Sequence, residues 1–444
     1  MRRTLFLLFF THLLTRLLYI NISGIFNNYS LQSDSLLLVN FADEMLNGNF
    51  NFDLGRFVAS PLFSLICGLF KILFLSQWSL YLILFQVSLS AISGLYIFRI
   101  SYMIFNDKKI ALFSSLIFAF FPMTLWYVHT FSQESVFQSL MIITIYYLLA
   151  SLQSSRTSDT VKAAVFFSLA YLTKSHILIL SLFIPLIYFH YFRFSNTTIK
   201  HILIFSLIAV FFSIPYGLYH YKTNGSYVIS SNGAGYQFYL GNTEAGYKTV
   251  VDVPKSNTED YKMMKDMTAN AGYFNGSEDR YNSMMSHPQN IKQKEFYSGA
   301  LDWIYTHPLK FIQLKLYDAA FFILPGVSFR HYSFLDWIST FIICAPIYLL
   351  SYISIYLCCK NNFAKHAWIF YLFMSMFIFS IVWYVQNRFR TITLEPFYII
   401  YASVYLYRGL QKFTLGREII NFMDELYLKY LQSIQIRKMI IKGW

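Results

Sequence analysis

The sequence predicts an all-α polytopic membrane protein of about ten transmembrane helices, with amphipathic interfacial helices and a small mixed α/β external domain. Three observations predict it. Apolar runs of membrane-crossing length recur along the chain. Basic residues gather in the loops that alternate to one side of those runs. The 444 residues are 56% hydrophobic and only 13% charged, more apolar surface than a water-soluble fold hides, so lipid is the main solvent.

The first run, 5–20, follows Arg2 and Arg3 and lacks a small-residue cleavage site, so it reads as a retained signal anchor. Further runs lie at 80–102, 110–127, 135–152, 163–172, 177–192 and 202–219, then at 335–357, 367–384 and 396–407. Thr173-Lys174-Ser175-His176 separates the fifth from the sixth. Two stretches, 61–75 and 311–324, are short for a crossing and read as helices lying at the interface. Arg2 and Arg3, Lys108 and Lys109, Arg156 and Lys162, Arg193 and Lys200, and Lys360 and Lys365 all fall on one side, the cytoplasmic one. Residues 21–79, 128–134, 173–176, 220–334 and 385–395 then face outward.

The chain divides into an N-terminal transmembrane module (1–219, with a first external loop at 21–79), an external region with an interfacial helix (220–334), C-terminal transmembrane helices (335–410) and a basic cytoplasmic tail (411–444). Residues 220–308 are rich in Asn, Gly, Ser, Asp and Lys with few long apolar runs, so they read as a small extramembrane domain, expected to be mixed α/β, or an extended lid. Within it, 257–293 reads as mobile until something binds. The tail reads as a basic amphipathic helix on the anionic inner leaflet. The net charge of +13 belongs to these lipid-facing basic segments, and nucleic acid is not an expected partner. Cys67, Cys344, Cys358 and Cys359 have neither metal-ligand spacing nor a disulfide framework. Cys358-Cys359 is open to palmitoylation or to burial, with burial favoured.

The candidate chemistry sits on the external side. Residues 31–48 open with Asp34 and close with Asn47-Gly48 as a helix stop. A carboxylate at the mouth of a membrane bundle is costly unless paired or functional. Glu134, Lys174, Arg388 and Arg390 share that side, with Glu44 better placed than Asp43 for a supporting role. Cations hold a phosphate leaving group, and a carboxylate deprotonates an incoming hydroxyl or amine, so the set suits a reaction on a lipid-linked phosphate. Each residue also has a structural reading. Asp34 and Glu134 lie where carboxylates favour helix N-termini, Lys174 can snorkel, and Arg388 and Arg390 can meet headgroups. Arg16, inside the first run, either snorkels outward or binds phosphate, and snorkelling is favoured. His129 and His176 have no second ligand nearby in sequence for zinc.

Several short motifs occur in a fixed order. They are Ser33-Asp34-Ser35 through Ala42 to Asn47-Gly48, Ser60-Pro61-Leu62, 106–112, Pro122 ahead of Ser132-Gln133-Glu134, and Leu172-Thr173-Lys174. Tyr239-Leu240-Gly241-Asn242, 304–309, and Arg388-Phe389-Arg390 with Leu394-Glu395-Pro396 follow. In these residues the sequence resembles the GT-C glycosyltransferases, which include the protein O-mannosyltransferases and the bacterial aminoarabinose transferase of lipid A. The resemblance implies a GT-C fold, a polyprenyl-phosphate-sugar donor and inversion at the anomeric carbon. It implies a glycolipid, polysaccharide or protein acceptor on the periplasmic or extracellular face, in a bacterial inner membrane. It makes Asp34 the catalytic acid position, Glu134 a second-loop acid that positions substrate or a cation, and Lys174 a cation near the donor phosphate. Arg388 and Arg390 are the further phosphate candidates. Many members carry two adjacent acids in the first loop, whereas here Ser35 follows Asp34, which leaves open the acceptor and a divalent cation held through Glu134. No Gly-rich nucleotide loop is present. The rival readings are a transporter or flippase of a lipid-linked sugar, which would show a repeat between halves, and a non-catalytic envelope-assembly subunit, which would lack the first-loop acid.

Overall fold

The computed structural model describes residues 2–23, 33–50, 58–128, 132–252, 286–327, 333–383 and 385–412. Residues 257–285 of the expected mobile segment 257–293, 413–444 of the basic tail and parts of the first external loop lie outside these residues.

The N-terminal module begins with α1 (Arg2–Ile22), α2 (Ser33–Leu46) and α3 (Leu62–Phe74), followed by α4 (Trp78–Phe105) and α5 (Lys108–Phe120). Next come α6 (Pro122–Trp126), α7 (Gln133–Ser154), α8 (Thr157–Thr173), a 3₁₀ segment (Ser175–Leu182), α9 (Ile184–Phe192) and α10 (Asn196–Asn224). The turns are written in the residues. Asn106 ends α4 in the left-handed conformation, and the Asp107 carboxylate then caps α5 by accepting from the Lys109 and Ile110 amides at 2.7 and 3.2 Å. Ser155 ends α7 the same way, which turns the chain back into α8. α7 is apolar around its whole circumference and almost entirely buried, so it forms the centre, with α4 on one side and α8 on another. α1 packs on α4 and α5, and α10 packs on α8.

The C-terminal part contains α11 (Ala234–Gly241), α12 (Glu244–Tyr247), α13 (Gln289–Thr306) and α14 (Pro308–Ile323). These lead to α15 (Phe334–Asn361), α16 (Phe363–Val382), α17 (Asn387–Thr393) and α18 (Glu395–Leu410). α15 packs on α18, and α18 reaches α5, which ties the two ends of the chain together.

The expected mixed α/β external domain is not what forms. Among the described residues there is no β-strand or sheet, and residues 220–252 and 286–308 are helix and turn. The expectation rested on polar composition, which reports exposure to water and not backbone period. The period that decides is helical. Phe296, Ala300 and Trp303 fall on one stripe of α13. Tyr236 and Tyr239 of α11 meet Phe296 with ring centroids 5.2 and 5.6 Å away. Gly235 lets the two helices touch, since a Cβ there would stand 2.5 Å from the Gln293 carbonyl oxygen.

Seven helical stretches among the described residues are long and apolar enough to cross a membrane, where about ten were expected. The expected runs 110–127, 163–172 and 396–407 form α5 with α6, α8 and α18, the main helices having 13, 17 and 16 residues. A 13-residue helix rises only about 20 Å against a hydrocarbon core of roughly 30 Å. The expected interfacial stretch 61–75 is joined through a 3₁₀ turn to α4 in one apolar run of 44 residues, broken where Leu75 adopts φ 45°. The outer helices show apolar stripes to lipid, such as Phe6, Phe10, Leu14 and Leu18 on α1 and Leu203, Leu207 and Val210 on α10. Arg16 turns inward instead of snorkelling. It is fully buried, donates to Ser90 Oγ at 2.7 Å, and lies 3.0 Å from His12 Nδ1 and over the Phe118 ring.

Candidate functional site

Three segments that are far apart in sequence meet at one end of the bundle: the N-terminus of α7, the C-terminus of α8 and the short helix α17. Glu134 occupies the first turn of α7 behind Ser132. Lys174 follows α8, where the backbone becomes extended (φ −146°, ψ 113°) before the 3₁₀ segment, and this break releases its side chain toward α7. Lys174 Nζ lies 2.8 Å from Glu134 Oε1, and both side chains are buried, at 6% and 7% exposure. Arg388 of α17 brings Nη1 to 3.5 Å from the same oxygen and keeps 36% of its side chain exposed.

Packing fixes this arrangement. Phe389 lies under both cations, with its centroid 5.4 Å from Lys174 Nζ and 5.8 Å from the Arg388 guanidinium carbon. His176 packs against Phe137 and Phe389 at 4.8 and 4.7 Å, as a buried aromatic body. Gln138 of α7 donates to the Thr391 carbonyl at 3.4 Å, which pins α17 to the central helix. Arg388 Nε donates to the Gln386 carboxamide. Among the described residues, the Glu134 carboxylate therefore faces two cations, of which Arg388 keeps a third of its side chain exposed. Chemically, an ammonium and a guanidinium side by side suit an anionic group such as a phosphate.

The remaining candidates stand elsewhere. Arg390, two residues from Arg388, is 1% exposed and faces away from Glu134. Its Nη1 reaches the carbonyls of Phe321, Phe322 and Leu324 at the end of α14, and its Nη2 donates to the Gly326 carbonyl at 2.7 Å. Its guanidinium lies 4.9 Å above the Tyr348 ring, and its Nε is 3.9 Å from Glu395 Oε1. Glu395 Oε1 also accepts from Tyr348 and Thr391. Glu44 is exposed on α2 and accepts from Asn49 at 3.3 Å. The backbone of Asp34 lies in the first turn of α2, and its side chain falls outside the described residues. Around Glu134 the neighbouring donors are an ammonium and a guanidinium. Among the described residues no three His, Cys, Asp or Glu side chains cluster.

Sequence reasoning missed the roles of Phe389, Gln138 and Gln386, and it missed Glu395, which was visible only as part of a motif. It also missed a second polar cluster at the joint of α12, α13 and α14. There Glu244 takes Lys310 at 2.9 Å and the Trp303 indole at 3.2 Å. Burial pushes the Glu244 carboxyl up, but the bonds from Lys310 and Trp303 and the charges of Lys310 and Lys248 outweigh it, so it is held below the usual carboxylate range. Beside it, Lys315 pairs with Asp318 at 3.0 Å and donates to the Gly241 carbonyl. The only forward signal for this cluster was the i, i+3 spacing of Lys315 and Asp318.

Residues 58–219 match the family model described as dolichyl-phosphate-mannose-protein mannosyltransferase. No curated protein sequence matches the chain. Among solved structures, the chain resembles the archaeal oligosaccharyltransferase AglB from Archaeoglobus fulgidus, solved with an inhibitory peptide and a dolichol-phosphate. That likeness has a TM-score of 0.51 at 10% identity, covering 93% of this chain and 54% of that one, so the chain spans little more than half the length of that protein. ArnT from Cupriavidus metallidurans, solved bound to undecaprenyl phosphate, also matches, with a TM-score of 0.38, 14% identity, and coverage of 91% of this chain and 80% of that one. The chain has the GT-C fold of membrane glycosyltransferases.

Proposed function

We propose that the chain is a membrane glycosyltransferase that moves a sugar from a polyprenyl-phosphate donor to a hydroxyl or amine on the external face. The acceptor is a glycolipid, a polysaccharide or a protein. One observation carries this reading: Glu134, Lys174 and Arg388, far apart in sequence, converge on one cluster in which two cations lie side by side and Arg388 is partly exposed. A transporter would have no need for a base in the first external loop, and Asp34 supplies one there. The mannosyltransferase match over 58–219 and the GT-C fold support the same class.

In this reading the acceptor oxygen or nitrogen attacks the anomeric carbon from the side opposite the phosphate. Asp34 takes the acceptor's proton as the new bond forms. The bond from carbon to phosphate oxygen breaks, and the polyprenyl phosphate leaves with the electron pair, so the configuration inverts. Lys174 and Arg388 hold the phosphate and stabilise the charge that grows on it. Glu134 is a positioning residue that keeps both cations in place. No step runs through a divalent cation.

The test uses purified full chain in detergent, wild type beside Asp34→Asn, with a panel of short-chain polyprenyl-phosphate sugars and an envelope extract. Mass spectrometry follows free polyprenyl phosphate and sugar-shifted product. The expected result is transfer by wild type and its loss in Asp34→Asn while donor binding persists. Transfer that survives in Asp34→Asn removes the base from Asp34, and donor binding without turnover by wild type overturns the enzyme reading.

A further inference from the structure

Arg388 and Arg390 lie on α17, which has seven residues between an extended segment and Leu394. At about 100° per residue, their side chains leave the helix roughly 200° apart. One faces Glu134 and the other faces the end of α14. A helix this short does not set its own orientation, because helix formation is cooperative and needs several turns. Something outside it must fix its roll about its axis.

The contacts of Arg390 supply that. The last carbonyls of α14 have no partner within their own helix and carry the negative end of its dipole. The guanidinium covers them, with Nη1 reaching three carbonyl oxygens and Nη2 a fourth on Gly326. Gly326 has φ 77°, and a Cβ there would stand 2.9 Å from the Phe341 amide nitrogen, so the loop that presents its carbonyl is tightly seated. Tyr348 closes one face of the guanidinium, and Glu395 lies beside it. Phe389 seats the same turn against His176 and Phe379, but ring contacts tolerate sliding. A planar fork on four carbonyls does not.

We infer that Arg390 is a positioning residue that, by gripping the C-terminal carbonyls of α14, fixes the roll of α17 that turns Arg388 toward Glu134. This rests on the donor reading above, in which Arg388 meets the lipid phosphate. It also links the site to the outer helices, because α14 carries Lys310 and Lys315, which bond Glu244 and the Gly241 carbonyl.

The experiment measures binding of a short-chain polyprenyl phosphate to purified full chain. It compares wild type, Arg388→Gln, Arg390→Lys and the double variant, with hydrogen exchange of residues 387–393 recorded for each. Arg390→Lys keeps the charge and loses the fork. The expected result is about tenfold weaker binding in Arg390→Lys, no further loss when that change is added to Arg388→Gln, and faster exchange across 387–393. Losses that multiply in the double variant would make Arg390 a direct phosphate ligand and overturn the inference. So would wild-type affinity and wild-type exchange in Arg390→Lys. If wild type binds no polyprenyl phosphate, the donor reading falls, and the exchange data alone decide Arg390: faster exchange upholds its hold on α17, and unchanged exchange overturns it.

Discussion

Arg388 and Arg390 share one short helix and one residue type, yet their surroundings differ in the quantity that separates binding from bracing. In the Arg388 cluster Glu134 meets Lys174 and Arg388, and the Arg388 side chain is 36% exposed. The Arg390 cluster is closed, with its guanidinium spread over four carbonyls, an aromatic face and a nearby carboxylate. Arg390 is braced through Nη1 and Nη2, while its Nε and Glu395 Oε2 make no hydrogen bond among the described residues. A cation that keeps a third of its side chain exposed can be reached by a ligand. Residue type alone does not separate the two, and exposure does.

The largest expected effect comes from breaking the closed side. Arg390→Met leaves the α14 carbonyls and Glu395 without their cation, so thermal unfolding in detergent should show a loss of about 3–5 kcal/mol. Arg388→Met should cost less than about 1 kcal/mol, since its pair is partly exposed. Equal losses from the two would erase the contrast.

On the open side, Lys174→Met should lower the rate of sugar transfer roughly 100-fold or more, because it removes a buried cation from the phosphate. Initial rates at saturating donor measure this. A drop smaller than about threefold would place the phosphate elsewhere.

Gly326→Ala sharpens the account of the closed side. The change forces a side chain into a left-handed backbone position against the Phe341 amide, with an expected loss of roughly 1–2 kcal/mol in the same unfolding assay. Its donor affinity should fall as well, since the Gly326 carbonyl orients Arg390.

The smallest expected effect concerns the outer helices. Glu244 is held below the usual carboxylate range. Its contribution to stability is therefore complete above its unfolded value, about 4.5, and is lost as pH falls through the lower folded value. Unfolding of wild type and Glu244→Gln should differ at pH 7 and converge on the acid side. A difference that persists unchanged to pH 3 would mean that the carboxylate's charge is not what matters.

Much of the bundle was legible in the sequence. The apolar runs became helices, and Glu134, Lys174 and Arg388, from the expected outward segments 128–134, 173–176 and 385–395, meet at one end of the bundle. Hydropathy and loop charge act on single segments and need no tertiary information. The two arginines could not be told apart, because their difference lies in which neighbour each meets across the bundle. Glu395 was hidden for the same reason, since an acid at the head of an apolar run shows nothing of Tyr348 or Arg390. The outer region was misread for a different cause. Its Asn, Gly and Ser content indicates water, while the stripe of Phe296, Ala300 and Trp303 that specifies a helix was in view and went unweighed. The runs at 110–127, 163–172 and 396–407 differ from the others in helix length, with 13, 17 and 16 residues in α5, α8 and α18.

The most direct test of the central claim is the affinity of purified full chain for a short-chain polyprenyl phosphate, wild type against Arg388→Gln, at two salt concentrations. A loss of about tenfold or more in the variant, with weaker salt dependence than wild type, is what a phosphate held by Arg388 predicts. Equal affinity and equal salt dependence in the two proteins would contradict it.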